Sequence, residues 1–283
     1  MLKMCDDMNQ KYVYCIIPTF NRLSELKNVI QQMREQTYQN IKIIVINDGC
    51  SDGTSEYLSN IKDMKIHTIH GDGNLWWGES INEGLKYVLK KATDEDCVLM
   101  LNDDTYFDES LIQNFISDMD RHNMPSIFAS INADFETRKT YLLGYSINYL
   151  KTDITTITSF DDNATMHALP GRGIFLSVKT VKKVGMINTF FFKQSHGDLE
   201  YTSRASEKGI ELRICQKAII YTKAKTSNDN QMSHSFFARL TSRYTTNSFL
   251  LRLLFFSIRG PFFLRLWALP RFTVYRIKKY LSV

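Results

Sequence analysis

CVLMLNDDTYFD, residues 97–108, is an apolar run that stops at two adjacent carboxylates, Asp103 and Asp104. A short apolar run bounded by turn residues predicts a buried strand. The carboxylates repel each other, and neither leaves water cheaply without a partner. Either they lie solvated in a turn or cap the helix expected at DESLIQNFI, or a positive charge sits against them.

Upstream the same pattern recurs. YVYCIIPTF (residues 12–20) predicts a strand ending at Pro18 and Thr19, and IKIIVIND (residues 41–48) a second ending at Asn47 and Asp48. Between them, Leu26, Val29, Ile30 and Met33 recur at helical spacing, with Asn21 and Ser24 as candidate caps. NDGCSDGT reads as a turn in which Asp52 caps the next helix, KIHTIHGDGN as a third strand and turn, and GESINEGLKYVLKKA as a helix. Strands alternating with helices predict an α/β fold, a Rossmann-like, doubly wound and mostly parallel sheet. Such sheets bind ligands at the carboxyl ends of their strands, which puts Pro18-Thr19, Asn47-Asp48 and Asp103-Asp104 on one functional edge. Downstream, TDITTITSF and GRGIFLS predict strands and VKTVKKVGMI a short helix. After an acidic loop a helix ends near Gly209, and KAIIYT is the last strand of the body.

The chain of 283 residues is 43% hydrophobic and 23% charged, an ordinary globular composition. Its five scattered cysteines form no CxxC pair, which argues against a disulfide framework or zinc site and for a reducing, cytoplasmic setting. No apolar secretory segment precedes the first strand. The charge is unevenly spread: none of the 30 acidic residues but nine of the 35 Lys and Arg lie after position 229. The body, residues 1–229, is therefore at −4 and the extension, residues 230–283, at +9. The extension is rich in aromatics and leucines, carries too many charges to span a bilayer, and is broken at Gly260-Pro261 and Pro270. Short basic, aromatic helices suit an anionic membrane surface, met through residues 248–283, while packing on the body or another subunit is the plainer alternative.

An acidic pair after a buried strand suits Mg²⁺ or Mn²⁺, hard cations that take oxygen ligands together with substrate phosphates. Asp198 and Glu200 stand at an expected helix start, where the helix dipole favours carboxylates; capping is the plain reading, and a general base would need such a carboxylate within reach of an acceptor hydroxyl. Arg204, one turn after Glu200, is expected to pair with it.

Taken in order, CIIPTFNR, IVINDGCSDGT, LMLNDD, GRGIFLS with VKKVGMI, and GDLEYTSRASEKG resemble the family 2 glycosyltransferases, over about residues 12–222. The resemblance implies the nucleotide-sugar-binding fold called GT-A and an inverting sugar transfer. Pro18, Thr19, Asn21, Arg22, Asp48 and Asp103 would then hold the nucleoside diphosphate, with Asp48 accepting from the N3–H of uracil or thymine. Asp104 would bind the Mg²⁺ or Mn²⁺, and Asp198 would take the acceptor's proton. Asn74, Trp76, Trp77, Arg172 and Glu200 would line the sugars, although the two tryptophans serve equally well as core aromatics. Many relatives end the strand matching KAIIYT in a histidine ligand. Thr222 stands there in this chain, and His234 in the following loop is the candidate substitute.

The partners implied are a UDP- or dTDP-sugar, dTDP-rhamnose among them, and a glycan or lipid-linked glycan acceptor at the inner face of the plasma membrane. A homodimer stays open. Two other classes are weaker. A nucleotidyltransferase would want a Gly-rich basic loop after the first strand, where PTFNRLSE offers only Arg22. A nucleic-acid-binding protein would use the basic extension but leave the ordered acidic motifs without a role.

Overall fold

In the computed structural model, residues 11–122, 124–160, 164–223 and 248–281 are described, the last seven of these as backbone alone. The chain runs β1 (Val13–Thr19), α1 (Leu23–Arg34), β2 (Ile41–Asn47), α2 (Thr54–Asn60), β3 (Ile66–His70), α3 (Trp76–Lys91), β4 (Cys97–Met100), β5 (Thr105–Phe107) and α4 (Leu111–Asp120). It continues through β6 (Ser126–Asp134), β7 (Thr140–Leu142), β8 (Gly144–Asn148), β9 (Asp153–Ile157), β10 (Ile174–Ser177), α5 (Val178–Val184), α6 (Gly197–Glu207) and β11 (Glu211–Thr222). After residues outside the description come α7 (Phe249–Ile258), α8 (Phe262–Leu266) and α9 (Ala268–Leu281).

Strand β1 shows why this sequence makes a layered sheet. Val13, Cys15 and Ile17 join the core under α1 and α4, while Tyr14 and Ile16 join the core under α3, α5 and α6. Both faces are covered, so the strand reads as continuously apolar. The sheet order is β3-β2-β1-β4-β10-β6-β11-β5, with β7 on β6. β3, β2, β1 and β4 run parallel, as expected for βαβ units. β10 enters antiparallel between β4 and β6. β8 and β9 form a separate antiparallel ribbon.

Several local expectations change. Helix α1 begins at Leu23, with neither Asn21 nor Ser24 as its cap; instead Asp52, from the loop after β2, accepts from Leu23 N at 2.8 Å. The same carboxylate accepts from Thr54 N at 3.2 Å, so one residue starts two helices. Helix α3 begins at Trp76, two residues earlier than expected, which puts both tryptophans in its first turn. β11 extends back to Glu211, and its register shifts between Cys215 and Ile219, where the polar Gln216-Lys217 interrupts the apolar pattern. Pro270 does not break the extension: it lies in the first turn of α9, where an absent N–H costs no helical hydrogen bond.

The extension packs on the body. Leu251, Phe255, Phe256, Ala268 and Phe272 are buried together with Ile147 of β8, Leu199 of α6 and Phe192 of the loop before α6. Arg259 reaches Glu207 at 3.0 Å, and Arg271 donates to the carbonyl of Tyr149 at 2.9 Å. Packing, the plainer alternative for this segment, is thus realised on one of its faces.

Candidate active site

The carboxyl ends of β1, β2 and β4 bring Thr19, Asp48 and Asp103-Asp104 to one edge, all four largely buried. Asp103 and Asp104 cap no helix and do not lie in open solvent: both are buried in the short link between β4 and β5. The positive charge between them is Arg22, whose Nη1 donates to Asp103 Oδ1 and to Asp104 Oδ2, each at 3.2 Å. Burial pushes the Asp103 carboxyl up to about 6, against the pull of Arg22. Asp104 Oδ1 is buried with no hydrogen-bond partner.

An orphaned carboxylate oxygen beside a second carboxylate fits a hard divalent cation. Among the described residues no group of three or more His, Cys, Asp or Glu converges, so the protein would contribute two carboxylates and leave the remaining positions to phosphate and water. Thr222, at the end of β11, accepts or donates to the Tyr141 hydroxyl at 2.7 Å. His234 lies outside the described residues. A shallow depression beside the pair is lined by Glu25, Asn28, Tyr106 and Lys223. Lys223 escaped the sequence reading because it follows a strand whose end looked polar and closed; its ammonium lies over Tyr106, 4.9 Å from the ring centre.

Asp48 faces the loop that leads into α3. Its Oδ1 accepts from Gly73 N at 2.8 Å, and its Oδ2 from Leu75 N at 2.9 Å and Trp76 N at 3.1 Å. Three charge-assisted bonds fasten the loop that carries Asn74, Trp76 and Trp77 to the end of β2. The two loops touch at glycine: Gly49 has φ +69°, and a Cβ there would lie 2.7 Å from Gly73 N. Asn21, also at positive φ, accepts from Ser51 N at 2.8 Å and ties the β1 end to the β2 loop. Pro18 is a β1 residue paired in register with Ile46 of β2.

Trp77 reaches across the edge. Its Nε1 donates to Asn102 Oδ1 at 3.0 Å, and its ring lies 3.0 Å from where a Gly171 Cβ would stand. The same absent Cβ would touch Asp198, so Gly171 permits the close approach of ring, loop and carboxylate. Trp77 is thus half-buried, packed on the core at the sheet edge beside Asp198. Asn74 is exposed on the loop, and Trp76 is half-buried at its end.

Asp198 is held at the start of α6. Its Oδ2 accepts from Gly171 N at 2.7 Å and its Oδ1 from Leu199 N at 2.8 Å. Burial raises its pKa above the usual carboxylate range, although both bonds and nearby Arg172 oppose the shift. His196, two residues before it, sits at φ +66°, and burial pushes its imidazole down to about 4, so it is neutral at physiological pH. Arg172 connects the two acidic centres. Burial works against its charge, but Asp104, Tyr141, Tyr145 and Asp198 together outweigh this and raise its pKa. Its Nε is buried without a hydrogen-bond partner.

The structure therefore brings Thr19, Arg22, Asp103 and Asp104 together at the sheet edge, with Asp48 anchoring the neighbouring loop, and Arg172 feels the charge of both Asp104 and Asp198. Glu200 is not part of this site. Only 1% exposed, its carboxylate accepts from Arg204 Nε at 2.9 Å, the expected pair, and lies 3.6 Å from Arg259.

The profile of the family described as Glycosyl transferase family 2 matches residues 14–185, more than half of the chain. The chain belongs to this family. Curated relatives match over shorter stretches: an uncharacterised glycosyltransferase of Haemophilus influenzae is 34% identical over 94 residues, 31% of this chain and 29% of the relative. The O-antigen chain rhamnosyltransferase RfbN of Salmonella typhimurium is 30% identical over 104 residues, 36% of this chain and 31% of the relative. The matched stretches thus span less than a third of these two relatives. Among solved structures, S. aureus TarS 1-349 in complex with UDP-GlcNAc superposes with a TM-score of 0.59 at 14% identity, over 80% of this chain and 62% of that one. The mannosyltransferase PcManGT of Pyrobaculum calidifontis, in complex with GDP-Man and Mn²⁺, superposes at 0.58 and 12% identity, over 98% and 77%. The fold is GT-A. The family match ends before α6, so Asp198 lies beyond it.

Proposed function

We propose that this protein is an inverting glycosyltransferase that moves one sugar from a UDP- or dTDP-sugar to a hydroxyl of a glycan. Residues 1–229 form the catalytic unit and residues 230–283 its basic extension. The observations that support the reading are the Asp104 Oδ1 buried without a hydrogen-bond partner and Arg172, a buried guanidinium that feels the charge of both Asp104 and Asp198.

In this reading the nucleoside lies along the ends of β1 and β2. Asp48 Oδ1, engaged by a single loop N–H, keeps a lone pair for the N3–H of the base. Asp103 and Asp104 would hold Mg²⁺ or Mn²⁺ against the diphosphate, and the orphaned Asp104 Oδ1 is the atom that favours this. When bound, the ion supplies Lewis-acid stabilisation of the charge that the departing diphosphate gains. Arg22, which bridges the pair, would then share its charge with a phosphate, and Arg172 offers a second positive charge.

Asp198 accepts the proton of the acceptor hydroxyl as its oxygen attacks the anomeric carbon. The bond from that carbon to the diphosphate oxygen breaks, and its electron pair leaves with the nucleotide. One displacement inverts the centre. A base whose pKa stands above the ordinary carboxylate range is the stronger for it. The acceptor is proposed to be a lipid-linked surface glycan, a choice supported by the partial likeness to an O-antigen enzyme and by the basic extension.

A thermal-shift screen of UDP-, dTDP- and GDP-sugars with and without Mn²⁺ tests the reading, since a ligand that binds the native state raises its apparent stability. The expected result is a metal-dependent rise for one uridine or thymidine sugar, lost in Asp104→Ala. No rise with any sugar nucleotide would overturn it.

A further inference from the structure

The extension leaves one apolar face uncovered. Its inner face is filled by Leu251, Phe255, Phe256 and Phe272 against the body, so the helices are docked rather than loose. On the outer side Phe262, Phe263, Leu266, Trp267 and Leu269 stand exposed, Phe263 at 77% and Trp267 at 64%. Leu150, 70% exposed at the turn of the β8–β9 ribbon, is contiguous with them, because the carbonyl of its neighbour Tyr149 accepts from Arg271 of α9. A patch of large apolar side chains in a row is a contact surface rather than scattered surface leucines.

We infer that this face, α8 with the start of α9 and the tip of the ribbon, docks on an anionic lipid bilayer. Charge selects the occupant. Residues 248–283 carry seven Lys or Arg and no Asp or Glu, and the nearest body acids, Glu200 and Glu207, are already paired with Arg204 and Arg259. The apolar face thus belongs to a segment of net positive charge, the composition of a helix that lies in the headgroup boundary. A two-fold contact with a second copy would oppose two such positive segments, which argues against self-association. No helix among the described residues is long and apolar enough to cross a membrane.

The opposite, inner face of the extension packs beside the residues that hold Asp198. Leu199, buried under the extension, is the residue after Asp198, and Ala168 of the same cluster precedes Gly171, whose N–H holds that carboxylate. A bilayer on the outer face would hold lipid-linked hydroxyls near the part of the molecule that carries Asp198. This last point rests on the transferase reading; the docking surface does not.

The test is co-sedimentation of the full chain with vesicles of neutral lipid and of neutral lipid mixed with anionic lipid. Binding to the anionic vesicles is expected, falling as salt rises from about 0.1 to about 0.5 M. The triple variant Phe262→Ser, Phe263→Ser, Trp267→Ser is expected to lower anionic-vesicle binding by about tenfold or more. Its melting temperature and sugar-nucleotide binding should stay those of the parent, since these side chains touch neither the core nor the candidate site. Equal binding by the triple variant, or no binding of the parent to anionic vesicles, would overturn the inference. So would a concentration-dependent dimer without lipid that the same substitutions dissolve, which would assign the face to a second copy.

Discussion

Asp198 and Asp48 are both carboxylates fixed by backbone N–H groups, yet they are fixed for different ends. Asp198→Asn keeps the shape but offers an NH₂ where one of Gly171 N and Leu199 N needs an acceptor. It is expected to lower turnover by about 10²- to 10⁴-fold, the usual scale for a lost general base, while the dissociation constant for the sugar nucleotide changes little. The raised pKa of Asp198 gives a pH signature. As pH falls through that value the base is protonated, so the acid limb of kcat should stand above the ordinary carboxylate range and vanish in Asp198→Asn. Asp48→Ala removes the acceptor for three loop N–H groups and is expected to cost about 3 kcal/mol of stability as well as nucleotide binding, read by denaturant unfolding and titration calorimetry. The sequence marked both residues as polar ends of strand or helix. It was silent on which N–H groups they would fix, because all of those donors except Leu199 N come from segments 25 to 28 residues away.

The helices show where local pattern suffices and where it does not. Leu26, Val29, Ile30 and Met33 marked the buried stripe of α1, and the structure buries all four. The start of that helix was not legible, because its cap is Asp52, a residue of another loop that no local rule connects to Leu23. In α6 the spacing of Glu200 and Arg204 announced an ion pair, and the pair forms. Arg204 also donates to the carbonyls of Val184 and Met186, both at 2.6 Å, and so clamps the end of α5. Glu200→Ala would leave that guanidinium without its carboxylate in a largely buried setting, at a cost of about 3 kcal/mol. A lowered melting temperature with turnover per folded molecule retained is the expected outcome. A selective loss of turnover in a protein of unchanged stability would return Glu200 to the sugar site.

Across the whole molecule, the order of strands explains why the candidate site stands where it does. Three parallel strands deliver Thr19, Asp48 and Asp103-Asp104 to one edge, and the alternation of apolar runs and helical stripes was enough to foresee that edge. The antiparallel entry of β10 was not foreseeable from composition, yet it carries Gly171 and Arg172 to the same edge from the opposite direction. The extension was read by charge as a membrane element, and its inner face proved to be a packed one. Those aromatics serve two surfaces, and periodicity over short helices does not separate them. The central claim is that these converging carboxylates run a sugar transfer, and the direct measurement is the release of nucleoside diphosphate from the sugar nucleotide that the protein binds. Wild type and Asp198→Asn should be compared at saturating donor and Mn²⁺, with water and a lipid-linked glycan extract as acceptors. The account predicts release by the wild type, stimulated by the extract, and its near loss in the variant at unchanged donor affinity. Equal release by the two proteins would contradict it.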